Sequence, residues 1–342
     1  MSTNDIQAAQ LLLARLGLRP EDLLSQSPVM NVPTFGEYIP RVESILSAGT
    51  ARTYRPYLNR IREQWRDRPL DEPTALELKE MVEQARHAAA ARKNSRGGRS
   101  AAEHMVGAIR CLYRHARDDG YVPAAGNAAA HIDKPRRRPS PRTALSDGQL
   151  TQINRVVATT GNDPDLDSLI VRLHIETACR RGGALALRPR DLDETNCLIW
   201  LREKDQSDRW QPVSPTLMKA LVSHGNRSAD PAGQLLRYRN GRPVTGRRYD
   251  YLWDRVGREI PWVKTQQVTA HWLRHTTLTW VERNFGYAIA RAFAGHAEPS
   301  GSDGPTLTYV RASLPEVATA LAALVGEPHP LAQAKIAEVE QL

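Results

Sequence analysis

Residues 134–142 read Lys-Pro-Arg-Arg-Arg-Pro-Ser-Pro-Arg, and no regular element can run through them. Pro135, Pro139 and Pro141 lack the amide hydrogen that a helix or a central strand requires, and each disfavours helical geometry in the residue before it. The arginines between them repel one another, so the run is an extended, charged connector. A chain of 342 residues has room for two domains at about 100–200 residues each, and the connector places the division. The expected organisation is a helical leader at 1–32, a helical core domain at 33–132, the linker at 133–143, a second domain at 144–325 and a tail at 326–342.

The core domain carries three helical signals. Tyr54, Leu58 and Ile61 share one face of a helix beginning near Thr50. Thr74-Ala-Leu-Glu77 and Ser100-Ala-Ala-Glu103 are capping boxes, in which a hydroxyl and a carboxylate satisfy the orphan amides of a helix start. Behind the second box, Met105, Ile109, Leu112, Tyr113 and Ala116 form an apolar face, and Gly120 suits the left-handed position after a helix end. Between the last two helices lies a basic loop with Arg92, Lys93, Arg96 and Arg99.

The second domain opens with another box, Ser146-Asp-Gly-Gln149. A Leu/Ala-rich helical region from Leu169 to Leu187 follows, interrupted at Gly182-Gly183. Leu198–Leu201 and Trp210–Val213 flank a polar loop and read as a hairpin. Tyr249, Leu252, Trp253 and Val256 mark a further buried helix face. With 6% aromatics and three Phe, the chain suits Leu/Ala/Val helix interfaces better than an aromatic sandwich. The expected class is mainly α with a small β-sheet (α+β).

Forty-seven Lys and Arg against 38 Asp and Glu give a net charge of +9, which favours a polyanionic partner or simply a basic surface. No apolar stretch approaches the ~18 residues a membrane span needs. Cys111, Cys179 and Cys197 form no CxxC pair, as befits a reducing compartment. A cytoplasmic, nucleoid-associated protein with no membrane partner is expected.

His271-Trp-Leu-Arg-His275 is the most informative pentapeptide. Its histidines share a helix face, but the glutamate of a zinc-binding HExxH motif is missing and Arg274 beside them repels a dication, so no metal is expected. Upstream stands Thr177-Ala-Cys-Arg-Arg-Gly-Gly-Ala-Leu-Ala-Leu-Arg188; downstream stand Gly295-His296 and Leu307-Thr-Tyr309. An arginine followed by Leu-Ala-Leu-Arg, then His-x-Leu-Arg-His, Gly-His and a late tyrosine, in that order, resemble the tyrosine recombinases, or phage integrase family. The resemblance spans about 144 to 325 through these motifs, and the first domain resembles the family's core-binding domain by pattern and placement.

The resemblance implies a site-specific recombinase that cuts double-stranded DNA through a covalent 3′-phosphotyrosine. Arg180 and Arg274 would clamp the phosphate, Tyr309 would be the nucleophile, His271 a general base or acid, and His296 a hydrogen-bond donor to phosphate. The matching position on the hairpin loop is Lys204, as acid for the leaving 5′ oxygen; on sequence alone it is an ordinary turn lysine. No cofactor is implied. The implied assembly is a homo-tetramer on DNA, with an accessory DNA-bending or directionality protein as a possible further partner. Arg92, Lys93, Arg96 and Arg99, with linker residues Arg136, Arg137 and Arg138, are the candidate phosphate contacts. Pro315–Val325, with Val317, Ala320, Leu321 and Leu324 on one face, would dock on a neighbouring protomer.

Two places depart from the family pattern. An acidic residue usually stands three positions after the first arginine, where this chain has Gly183, so that either another carboxylate holds Arg180 or it is held less firmly. The gap from His296 to Tyr309 is thirteen positions, longer than usual. Arg181 and Tyr287 compete for the roles of Arg180 and Tyr309. An inert DNA-binding protein of the same fold and a type IB topoisomerase-like enzyme are the alternative functions.

Overall fold

The computed structural model describes residues 11–15, 17, 31–90, 96–123, 126–135, 142–203, 208–227, 230–295 and 312–332. The chain divides into two compact units, Met1–Pro139 and Ser140–Leu342.

Among its described residues the first unit has helices α1 (Phe35–Ile45), α2 (Ala48–Trp65), α3 (Ala75–Ala90) and α4 (Arg99–Asp118), and residues 11–15 are also helical. The sequence reading missed α1. Its signal was Thr34-x-x-Glu37, a reciprocal capping box in which the Thr34 hydroxyl accepts from the Glu37 amide and the Glu37 carboxylate from the Thr34 amide. Phe35 then packs its ring 5.4 Å from Trp65 and 6.4 Å from Tyr113. The Thr74–Glu77 box opens α3 as expected. The box at Ser100 does not open α4, which begins a residue earlier at Arg99, after Gly98 in left-handed geometry. The face from Met105 to Ala116 is buried in the centre of this unit, and Gly120 takes the expected positive φ.

The second unit begins with α5 (Asp147–Thr159), opened by the Ser146–Gln149 box, and α6 (Pro164–Thr177). The interruption expected at Gly182-Gly183 falls instead at Ala178, which takes a left-handed φ of 50° and ends α6. Arg180 is extended, and both glycines lie inside the short helix α7 (Arg181–Ala186). The expected hairpin is β2 (Leu198–Leu201) with β3 (Arg209–Pro212), and a two-residue β1 (Leu192–Asp193) completes an antiparallel sheet in the order β1-β2-β3. Trp200 faces Trp210, and Leu201 faces Arg209. Helices α8 (Pro215–Gly225), α9 (Gly246–Glu259), α10 (Pro261–Gln266), α11 (Ala270–Phe285), α12 (Tyr287–Ala294) and α13 (Leu314–Val325) follow. Tyr249, Leu252, Trp253 and Val256 of α9 enter the main core. The fold is mainly helical with a small sheet. No helix among the described residues is long and apolar enough to cross a membrane.

Helix α13 corrects an expectation. Its face was read as a docking surface for a neighbour, but Val317, Ala320 and Leu321 are buried in their own unit against Ala178, Val281, Ala290 and Phe293. Beyond the helix, Glu327 accepts bonds from the Thr216 amide (2.9 Å) and hydroxyl (2.7 Å), fixing the segment to the start of α8. Removal of residues from Pro315 onward therefore uncovers core. Leu321→Ala should cost about 2–5 kcal/mol in urea unfolding of the isolated monomer. An unchanged midpoint would return the helix to its role as an exchanged element.

Candidate active site

The site starts where α6 stops. The Ala178 amide closes the helix on the His174 carbonyl, and the Thr177 hydroxyl accepts from the Cys179 amide, so the chain turns sharply and exits extended at Arg180. His174, fully enclosed, braces the turn from below. Its Nδ1 lies 2.9 Å from the Cys179 carbonyl and its Nε2 lies 3.0 Å from the Tyr249 hydroxyl. Burial pushes its pKa down to about 4, so the ring is neutral at pH 7. A carbonyl can only accept, which puts the ring proton on Nδ1 and makes Nε2 the acceptor from Tyr249.

Arg274 lies one turn into α11, with 5% of its side chain exposed. Its Nη1 donates to the Ala178 carbonyl and its Nη2 to the Ala294 carbonyl at 2.8 Å. One guanidinium thus ties the turn before Arg180 to the end of α12, next to Gly295-His296. Burial and then the neighbouring Arg180 lower its pKa to about 10, which leaves it cationic at neutral pH.

Both arginines converge on Glu203, at the exit of β2. Its carboxylate accepts from the Arg180 amide and from Arg180 Nη1 at 2.9 Å, and stands 4.0 Å from Arg274 Nη1. A third guanidinium joins from across the hairpin: Arg209 Nη1 donates to Glu203 at 2.9 Å and Nη2 to the Phe293 carbonyl at 3.2 Å. Three cations meet one carboxylate, so two positive charges are left over to attract an anion. Arg180 exposes 38% of its side chain and carries that surplus to solvent. Gly295 is required here: its φ is +61°, and a Cβ would sit 2.1 Å from Arg209 Nη1.

His271 is solvent-accessible at the start of α11. Partial desolvation lowers its pKa first, with Arg142, Arg274, His275 and Arg180 adding to the effect, so it is neutral at pH 7 and lies in the same positive field. Of the sequence-derived catalytic candidates, Arg180, His271 and Arg274 are therefore brought together. Lys204, His296 and Tyr309 lie outside the described residues. So do Arg92, Lys93, Arg136, Arg137 and Arg138; Arg96 is described in its backbone only, and Arg99 is half-buried at the start of α4. The competitor Arg181 turns away, 3.8 Å from Asp250. The competitor Tyr287, at the first position of α12, is 49% exposed, its hydroxyl 3.3 Å from Arg291. Sequence reasoning missed Glu203 and Arg209; its one pointer was the missing acid at position 183. Among the described residues no cluster of His, Cys, Asp and Glu could hold a metal.

Comparison with known proteins bears on this site. Residues 144–302 match the phage integrase family. The tyrosine recombinase XerC of Mesorhizobium japonicum is 27% identical over 197 residues, which is 56% of this chain and 62% of that protein. This chain thus matches somewhat less than two thirds of that relative's length. A lambda integrase tetramer bound to a Holliday junction superposes with a TM-score of 0.61 at 17% identity, covering 88% of each chain. The Tn1549 transposon integrase in complex with circular intermediate DNA gives 0.60 at 18% identity, covering 82% of this chain and 96% of that one. At these identities the structural likeness is one of fold.

Proposed function

We propose that this chain, whose residues 144–302 match the phage integrase family, is a site-specific DNA recombinase that cuts and rejoins duplex DNA through a 3′-phosphotyrosine. The observation that carries this reading is the meeting of Arg180 and Arg274, from two separate motifs, on the single buried carboxylate of Glu203. That arrangement suits a phosphodiester whose non-bridging oxygens gain charge at a pentavalent phosphorus. Two guanidinium forks meet such oxygens and keep their charge at any relevant pH.

In the proposed reaction the Tyr309 oxygen attacks phosphorus as the P–O5′ bond breaks. His271, neutral as its surroundings require, takes the phenol proton. His296 donates to a non-bridging oxygen, and Lys204 protonates the departing 5′ oxygen. One ester replaces another, so the link stores the bond energy until a 5′ hydroxyl from a partner duplex reverses the step. Exchange between two duplexes needs four cuts, hence a homo-tetramer on DNA, a state shared by the lambda integrase tetramer on its junction. Such a protein works where the cell keeps its DNA.

The test is covalent capture. The protein is mixed with a pool of randomised duplexes, and SDS-resistant adducts are recovered, sequenced and digested for mass spectrometry. The expected result is one related set of duplexes and a nucleotide mass on the peptide bearing Tyr309. Adducts without sequence preference would make this a relaxing enzyme; binding without adducts would make it an inert binder.

The linker is proposed to lie along the phosphate backbone. Although Arg136, Arg137 and Arg138 lie outside the described residues, changing all three to Ala should flatten the slope of log K against log salt by up to ~2.7, at ~0.9 per phosphate contact. Preference between sites should hardly change, because phosphate contacts position and do not read bases. An unchanged slope would make the run a solvated connector.

A further inference from the structure

Position 183 carries no acid, yet both arginines of the proposed clamp have one. Glu203 arrives from the hairpin, more than one element away in sequence, and its carboxylate is fully buried. Burying a charge costs several kcal/mol unless it is paired and hydrogen-bonded. Glu203 meets that condition by accepting from the backbone and side chain of Arg180 and from Arg209, within 4.0 Å of Arg274. Its charged form is favoured: despite burial, these donors hold the carboxyl below its ordinary range.

The geometry at position 183 is complementary. A Cβ built on Gly183 would stand 3.0 Å from Glu203 Cγ and 3.1 Å from its Oε1. A side chain there would press on Glu203, which would have to give by a few tenths of an ångström. Glycine at 183 thus leaves Glu203 uncrowded where its carboxylate meets the clamp. Arg209 extends the cluster to the Phe293 carbonyl, at the end of α12.

We infer that Glu203 is the positioning residue of the Arg180–Arg274 clamp, holding the two arginines from the exit of β2. The inference rests on the proposed recombinase reading for its consequence in catalysis. Seated as in this structure, the Glu203 carboxylate holds Arg180 by backbone and side chain and stands beside Arg274, so the spacing of the two guanidiniums depends on it.

The test uses Glu203→Gln, Glu203→Ala and the exchange pair Gly183→Asp/Glu203→Ala, which moves the carboxylate into the vacated space. With the duplex recovered by covalent capture, Glu203→Gln should cut about a hundredfold more slowly, the usual size of a small misplacement at a reacting centre, while site binding is retained. The exchange pair should recover at least about tenfold over Glu203→Ala, as expected if position and charge are what matters. A structural role alone would not predict rescue from a different backbone position. A second readout needs no DNA: the rotation of the Arg180 and Arg274 guanidiniums by nitrogen-15 NMR, assigned through Arg180→Lys and Arg274→Lys, should quicken in Glu203→Gln. Wild-type cleavage by Glu203→Gln, or no recovery by the exchange pair, overturns the inference and leaves the recombinase reading standing. If the wild-type protein forms no adduct with any duplex, the recombinase reading fails instead. Guanidinium rotation then decides alone: quickened rotation supports Glu203 as the organiser of the cluster, and unchanged rotation overturns it.

Discussion

Tyr309→Phe should abolish the covalent protein–DNA adduct while leaving site binding nearly intact. The substitution removes one oxygen and keeps the ring, so any loss reports the hydroxyl and not the packing. A phenol with an ordinary pKa near 10 is protonated at pH 7, and its ionised form then costs about 4 kcal/mol. The surplus positive charge around Arg180, Arg274 and Arg209 and a neutral His271 would lower that cost. The measurement is SDS-resistant adduct on a captured duplex, with a filter-binding isotherm alongside it. The result that would move the nucleophile elsewhere is equally definite. Tyr287 is exposed, and if the adduct survives in Tyr309→Phe but disappears in Tyr287→Phe, the role belongs to α12.

Much of this fold was legible because its signals are local. A capping box needs only a hydroxyl and a carboxylate or amide three residues apart, and those at Thr74 and Ser146 open helices as expected. The box at Thr34 is equally local and opens α1 in the same way. Ser100 shows the limit: the residues fit the pattern, but two left-handed glycines at 97 and 98 start the helix first. The break before Arg180 was harder to see. Alanine gives no warning of positive φ, and what ends α6 there is a buried histidine and a threonine hydroxyl of its own last turn together with the Arg274 guanidinium, which comes from almost a hundred residues away. Glu203 was invisible for a similar reason. Within the sequence it is one of many charged residues in a polar loop, and only the register of β2 with β3 turns it inward beside Arg209. Position 183 was noticed as an absence, and its meaning as space needed coordinates. The docking role read into α13 failed because an apolar helix face records that it is covered, without recording by what.

The two clamp arginines should fail in different ways when removed. Taking away one donor that stabilises developing charge typically costs about 3–4 kcal/mol, so Arg180→Ala and Arg274→Ala should each slow cleavage by about two to three orders of magnitude. Their effects on stability should diverge. Arg180 is 38% exposed, and the exposed portion of a salt bridge contributes little to folding. Arg274 is buried and satisfies the Ala178 and Ala294 carbonyls, which Ala would leave without that donor at about 1–3 kcal/mol each. Arg274→Ala should therefore lower the unfolding midpoint clearly, and Arg180→Ala only slightly. Lysine should rescue neither well: a single ammonium cannot reach both carbonyls from position 274 or present a two-pronged fork to phosphate from position 180. Arg181→Ala is the internal control, since its long contact with Asp250 lies at the surface and points away from Glu203. Normal cleavage by Arg180→Ala together with loss in Arg181→Ala would shift the clamp by one residue. Equal destabilisation by Arg180→Ala and Arg274→Ala would mean that Arg180 is a structural strut, and that the charge facing the phosphate comes from Arg209 across the hairpin.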